Sequence, residues 1–271
     1  MTGTRTTGRS SLVFVHGTRL TGAAWAPQRA RLGDRYRIVT PDLPGHGTRA
    51  DEPFTLERAG EVVADALAAE RDASGRRPVL IGLSLGGYVA MDLLARRPDL
   101  AAGLVIAGAS AEPTGILAVP LRALEAVLDR VDDGIQRRIN AWYLRRRYPP
   151  AIAEPIIDGG FWPAGGAQGL RALEGERFAP RLAAFPAPTL ILNGAWDPFF
   201  RWGAPGFAAA ARDARRVRLA GASHLSNLDR PDAFSAAVER FVAALGDDPA
   251  DRPGPVRSGV GGRLPGTPDA S

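Results

Sequence analysis

Residues 78–96 read PVLIGLSLGGYVAMDLLAR. Val79, Leu80, Ile81 and Gly82 make a strand-sized run that is nearly continuous in hydrophobicity, as expected of a strand buried on both faces of a parallel sheet. Residues 85–94 are apolar almost all round, which predicts a helix buried at the centre of the fold. Between the two, GLSLGG at 82–87 fits G-x-S-x-G, and a strand before it and a helix after it are the context that gives this short pattern meaning. A sharp strand-to-helix turn strains the backbone of the residue at its corner and crowds the neighbours, so those neighbours must lack side chains. Gly82 and Gly86 meet that need. Such a turn lifts the Ser84 hydroxyl clear of the sheet and sets a helix N-terminus beneath it, where N–H groups and the helix dipole favour developing negative charge. The structural alternative is a tight turn whose glycines serve packing alone, and only partners elsewhere in the chain distinguish the two.

Outward from this segment the same pattern repeats. Runs rich in Val, Ile and Leu recur at 12–15, 38–40, 103–107, 189–192 and 217–219, separated by helical stretches such as 56–70 and 204–212. Alternating strands and helices predict an α/β fold with a doubly wound, mostly parallel sheet of about six strands and helices on both faces. The last helix begins at Pro231, places Phe234, Val238, Phe241, Val242 and Leu245 on one stripe and ends at Gly246, so it is expected to lie flat on the sheet. Residues 112–185 break the alternation. They hold helical patterns at 121–131 and 135–148 with no convincing strand, and read as an inserted helical cap between core segments 11–111 and 186–246. Residues 1–10 read as a flexible N-terminus. Residues 247–271, rich in Pro and Gly, read as a disordered tail.

Composition narrows the chemistry. The 271 residues suit one medium domain with an insertion. There are no cysteines, which removes disulfides, thiolate nucleophiles and thiolate metal sites, and only three histidines, His16, His46 and His224. A reaction with no metal and no cofactor is expected. All 34 basic residues are arginine, scattered among 29 acids, so the net charge of +5 reads as a compositional habit and no nucleic-acid partner is expected. No apolar run approaches the length of a membrane span, and MTGTRTTGRSS lacks the apolar core of a signal peptide. The expectation is a cytoplasmic protein that does not engage membranes.

A serine hydroxyl needs a base to take its proton. His224, in LAGASHLSNLDRP, follows the last strand and precedes the last helix, which puts it at the carboxyl end of the sheet where open α/β sheets bind ligands. The acid is expected between serine and histidine in the chain. Asp197, in LILNGAWDPFF, lies there, just past the strand at 189–192. Its alternative role is that of a turn or cap aspartate beside Pro198. Asp42 and Asp92 are weaker rivals, the first in a turn motif and the second facing out of the helix after the serine. The strand at 12–15 runs into HGTRLTG, where Gly17 allows a tight turn. The next amide, that of Thr18, would then converge with that of Leu85 on one point, and two such donors suit a tetrahedral oxyanion at roughly 3 kcal/mol each. The Thr18 hydroxyl is either a third donor or a partner of local backbone. His16 and His46, the latter in PDLPGHG, are expected to hold loops together. Arg19 and the cluster Arg145, Arg146 and Arg147 could meet an anion, although a solvated helix face is the simpler reading of the cluster.

HG after the first strand, PDLPGHG after the second, GLSLGG, NGAWDP and GASHLSNLDRPDAF resemble, in that order, the α/β-hydrolase superfamily across about residues 11–245. Within it the chain is most similar to 3-oxoadipate enol-lactonase-like esterases and to cofactor-free haloperoxidase-like hydrolases. The resemblance implies a Ser84, His224 and Asp197 triad, oxyanion amides at Thr18 and Leu85, and hydrolysis of a carboxylic ester or lactone through an acyl-enzyme. Two departures stand out: the chain opens on what the family counts as its third strand, and Arg49 stands where many relatives have serine. The same triad also serves thioester cleavage, C–C bond hydrolysis and perhydrolysis, and a non-catalytic ligand-binding protein could share the scaffold. Trp25, Phe199, Phe200 and Trp202 near the proposed site, with Trp142, Phe161 and Trp162 of the cap, are candidate contacts for an apolar small-molecule substrate, the alternative being that aromatic residues at helical spacing belong to the core.

Overall fold

The computed structural model describes residues 9–114 and 131–246. Among them, six strands form one sheet: β1 (Ser11–Val15), β2 (Arg37–Val39), β3 (Val79–Leu83), β4 (Gly103–Ala107), β5 (Thr189–Gly194) and β6 (Ala214–Leu219). The order is β2-β1-β3-β4-β5-β6 and every pairing is parallel. Chain direction across the sheet reverses between β1 and β3, where Val15 aligns with Gly82. The crevice above the carboxyl ends at such a switch point is the ordinary ligand site of this architecture.

The helices in chain order are α1 (Ala26–Leu32), α2 (Leu56–Ser74), α3 (Leu85–Arg96), α4 (Asp133–Arg147), α5 (Pro150–Asp158), α6 (Pro163–Ala172), α7 (Ala179–Ala184), α8 (Pro198–Ala210), α9 (Ser226–Asp229) and α10 (Pro231–Leu245). Alternation along β1 sorts them into layers. Val13 and Val15 pack toward α2 and α3 with Val63, Leu67 and Val89, whereas Leu12 and Phe14 pack toward α1 and α10 with Leu32, Phe234 and Val238. Each strand from β3 to β5 is buried along its whole length, which explains its unbroken apolar run. The outer strand β6 is different: Arg215, Arg216 and Arg218 are largely exposed, and charged side chains there discourage another chain from pairing with the free edge.

The cap has a small core of its own, in which Leu144, Tyr148, Ala153, Ile156 and Phe161 meet Leu228 of α9. Asp132 caps α4 by accepting from Gly134 N and Ile135 N. The end of the insertion behaves otherwise, since Phe178, Leu182 and Phe185 join the core beneath α3. Among the described residues, no helix is long and apolar enough to cross a membrane. Residues 1–8 of the expected N-terminal arm at 1–10, most of the helix at 121–131 and the tail at 247–271 lie outside the described residues.

Candidate active site

Ser84 sits at φ 50° and ψ −118°, between β3 and α3. A non-glycine residue at positive φ costs about 1–3 kcal/mol, and such conformations cluster at working sites. The glycines around it are needed sterically. A side chain on Gly82 would strike the backbone of Gly86, one on Gly86 would strike the carbonyls of Val15 and His16, and one on Gly87 would meet Ala109. The turn is pinned to the next strand by Ser84 N donating to Ala107 O at 2.8 Å. Leu85 is the first helical residue, and among the described hydrogen bonds neither its N–H nor that of Thr18 has an acceptor.

Asp197 and His224 meet on the same edge of the sheet. His224 Nδ1 lies 2.9 Å from Asp197 Oδ2, with the carboxylate side chain 3% exposed and the imidazole 39% exposed. Beside a carboxylate, Nδ1 is the nitrogen that carries a hydrogen, which leaves Nε2 facing away from Asp197. Gly108, at φ +56°, packs against the imidazole so closely that a Cβ there would lie 2.9 Å from Cε1 and Nδ1. Ala107 binds Ser84 N and the adjoining Gly108 touches His224, so the end of β4 brings the serine and histidine segments together. The loop carrying His224 is latched to the cap by Asp229. Its carboxylate accepts from Ser223 N and Ser223 Oγ through Oδ2, and from Tyr148 OH and the Arg147 guanidinium through Oδ1.

The loop after β1 is held by its two histidines. His16 Nδ1 donates to Gly17 O at 2.8 Å while Nε2 accepts from Leu43 N at 2.9 Å. His46 Nδ1 donates to Pro44 O, and its Nε2 accepts from Arg19 N at 3.1 Å. Each imidazole is thus neutral, with one nitrogen donating and the other accepting. Burial, reinforced by nearby His46, holds His16 down at about 3 from an ordinary 6.5. Asp42 is kept below the usual carboxylate range despite burial because Gly22 N, Thr48 N and the Thr48 hydroxyl all donate to it.

From the other side α6 presses on this loop. Arg19, at φ 63°, accepts from Trp162 N through its carbonyl and donates from Nη1 to Gln136 of α4. Thr18 Oγ1 is buried with no hydrogen-bond partner and faces Gly166 of α6. Gly165 lies against the backbone of Gly45, and Gly169 against the Leu85 side chain. The glycines of AGGAQG therefore let a helix approach where any other residue would collide.

The aromatic candidates fare unevenly. Trp25 is fully buried between Phe14 and Phe234 in the layer of α1 and α10, so it is a core residue. Phe161 is buried in the cap core. Trp142 is 66% exposed on α4 and Phe199 is 41% exposed beside Asp197. Trp162 donates from its indole to Gly159 O, lies under the Arg137 guanidinium and lines a cavity of about 780 Å³ with Arg29, Thr40 and Asp42, a cavity that none of Ser84, Asp197 and His224 borders. Asp92 does not face solvent: it is buried and paired with Arg96 and Arg181. Arg145 pairs with Glu154. The aromatic residue that does touch the site is Phe200, stacked on the His224 ring.

Comparison with known proteins agrees with this architecture. A model of the alpha/beta hydrolase family matches residues 12–237. The chain is 28% identical to 2-(acetamidomethylene)succinate hydrolase of Mesorhizobium japonicum, over 86% of this chain and 88% of that protein. It is 27% identical to 3-oxoadipate enol-lactonase 1 of Acinetobacter baylyi, over 87% and 89%. Among solved structures, an esterase from Thermogutta terrifontis superposes with a TM-score of 0.71 at 25% identity, covering 88% of this chain and 92% of that one.

Proposed function

The chain belongs to the alpha/beta hydrolase family, and from that premise we propose that it is a cytoplasmic serine hydrolase that opens a carboxylic ester or lactone through an acyl-enzyme. Ser84 is the nucleophile, His224 the general base and Asp197 the acid that orients the base. The observation that carries this reading is the pairing of His224 Nδ1 with buried Asp197 at the same sheet edge that presents Ser84 in its strained turn.

The chemistry follows from the proton inventory. With Nδ1–H committed to Asp197, Nε2 accepts the Ser84 hydroxyl proton as Oγ attacks the substrate carbonyl. The carbonyl oxygen becomes an oxyanion and takes up the unfilled N–H groups of Thr18 and Leu85, supplemented by the α3 dipole. His224 then returns the proton to the leaving alkoxide, and the bond between carbonyl carbon and leaving oxygen breaks. Water, deprotonated by the same nitrogen, then attacks the acyl carbon, the bond to Ser84 Oγ breaks, and His224 returns the proton to Oγ as the acid leaves. No cofactor enters these steps. The apolar exposed surface at Phe199 beside Asp197 favours a small apolar substrate, and two relatives carry the names of a lactonase and an esterase.

The test is covalent labelling with a fluorophosphonate probe. Ser84 is expected to be modified in the folded protein, and Ser84→Ala to lose both the label and turnover of short-chain nitrophenyl esters. Turnover that survives in Ser84→Ala would overturn the assignment.

A further inference from the structure

Resting on the assignment of His224 as base, we infer that Phe200 is a positioning residue whose ring holds the imidazole in place and stabilises the imidazolium formed when Ser84 gives up its proton. The two ring centroids lie 5.0 Å apart with planes inclined by 24°, a stacked arrangement. A neutral imidazole gains mainly dispersion from such a contact, whereas a cation over the same face is drawn in by the ring quadrupole. The contact therefore strengthens as the proton arrives, which is the condition for lowering a barrier without tightening ground-state binding.

The surroundings of Phe200 are built to hold it there. Its carbonyl accepts from Ser110 Oγ at 2.7 Å and from Asn193 Nδ2 at 3.4 Å. Asn193 Nδ2 also donates to Ser110 Oγ at 2.9 Å, and Asn193 Oδ1 accepts from Gly108 N at 3.2 Å. Asn193 and Ser110 are both buried. Gly203 of α8 rests against the Ser110–Ala111 backbone, so the segment cannot drift outward without losing this contact. Asp197 fixes one atom of the imidazole and Gly108 blocks one edge. Phe200 supplies what neither does, a surface against which the ring cannot tilt. The plain alternative is that Phe200 only fills space, since it also packs on the core beneath α3.

Fluorinated phenylalanines at position 200 separate the two, because successive fluorines drain the ring face of electron density while nearly preserving its shape. Rates are read as kcat and KM on nitrophenyl butyrate and as the second-order rate of fluorophosphonate labelling at Ser84. The expected result is a graded fall, reaching about tenfold in kcat and in labelling rate for the pentafluoro ring, with KM held within about twofold. Phe200→Leu is expected to be similarly slow and Phe200→Tyr to recover most of the rate. A flat fluorine series, or Phe200→Leu as fast as the unaltered protein, would reduce Phe200 to packing. Ser84→Ala assayed alongside distinguishes the failures: if it is inactive and unlabelled while the series is flat, only the role of Phe200 falls. If it keeps turnover, the triad assignment on which this inference rests falls first.

Discussion

Replacing Gly166 by alanine tests whether the cap sets the geometry of the loop proposed to hold the oxyanion. A methyl at 166 would stand 2.7 Å from Thr18 Oγ1 and 3.1 Å from Arg19 N, and closer still to Arg19 Cγ. Thr18 Oγ1 and Arg19 N both lie three bonds from the Thr18 nitrogen proposed to hold the oxyanion. The helix cannot simply retreat, because Trp162 N is bonded to Arg19 O and Gln168 Oε1 to Phe54 N. Overpacking of this kind costs about 1–3 kcal/mol, and alanine returns about 0.5–1 kcal/mol by suiting a helix better than glycine. The net loss is then about 0–2.5 kcal/mol, a fall of at most several degrees in Tm. The rate is hit harder, since loss of one oxyanion donor costs about 10²–10³ in kcat and a partial displacement about 10–100. Differential scanning calorimetry and ester kinetics on the same preparation compare the two effects. Gly206→Ala is the control: it lies in α8 with nothing within 4 Å of a new Cβ, so it is expected to gain about 0.5–1 kcal/mol at unchanged rate. A Gly166→Ala protein that is stable and as fast as the original would refute the coupling of cap to loop.

Other expectations follow from the same contacts. Asp197→Asn removes the acceptor that fixes the His224 tautomer and is expected to lower kcat by about 10³–10⁴ with the melting temperature nearly unchanged; a loss below tenfold would point to another acid. Asp229→Ala strips four hydrogen bonds from the cap latch, with the Arg147 guanidinium half exposed to water, so urea unfolding is expected to show a loss of about 1–3 kcal/mol. For His16 the folded value near 3 lies below the ordinary 6.5, so between these limits the unfolded chain binds a proton that the fold refuses. That contribution is complete above pH 6.5 and is lost as the pH falls toward 3, at up to about 1.4 kcal/mol per pH unit. His16→Gln is expected to flatten the decline in unfolding free energy between pH 6 and 4, and identical slopes would rule out His16 as its source.

The strands were legible because burial on two faces leaves a run of Val, Ile and Leu that no surface segment needs. β6 was only half legible, at 217–219, since an edge strand exposes its arginines. α6 was hidden because three glycines in AGGAQG look like a loop when a contact partner such as Gly45 or Thr18 cannot be seen. The first turns of α8 were masked in the same way by Asp-Pro, read as a turn although Pro198 is a first-turn residue of the helix. Ser84, Asp197 and His224 were read together from their order along the chain, and the structure brings Asp197 against His224. Trp25 was misplaced because nothing in a sequence tells which face of a sheet a neighbouring aromatic residue reaches. Phe200 could be located beside the acid, but its stacking on His224 depends on Asn193 and Ser110, far away in sequence.

The strained turn at Ser84 sets stability against activity at a single codon. Glycine tolerates φ 50° and ψ −118° at little cost, so Ser84→Gly relieves the backbone while deleting the hydroxyl. A library of this protein sorted only for heat resistance would thus enrich a chain that has lost the proposed nucleophile. Directed evolution on this scaffold has to score turnover and thermal tolerance in the same round.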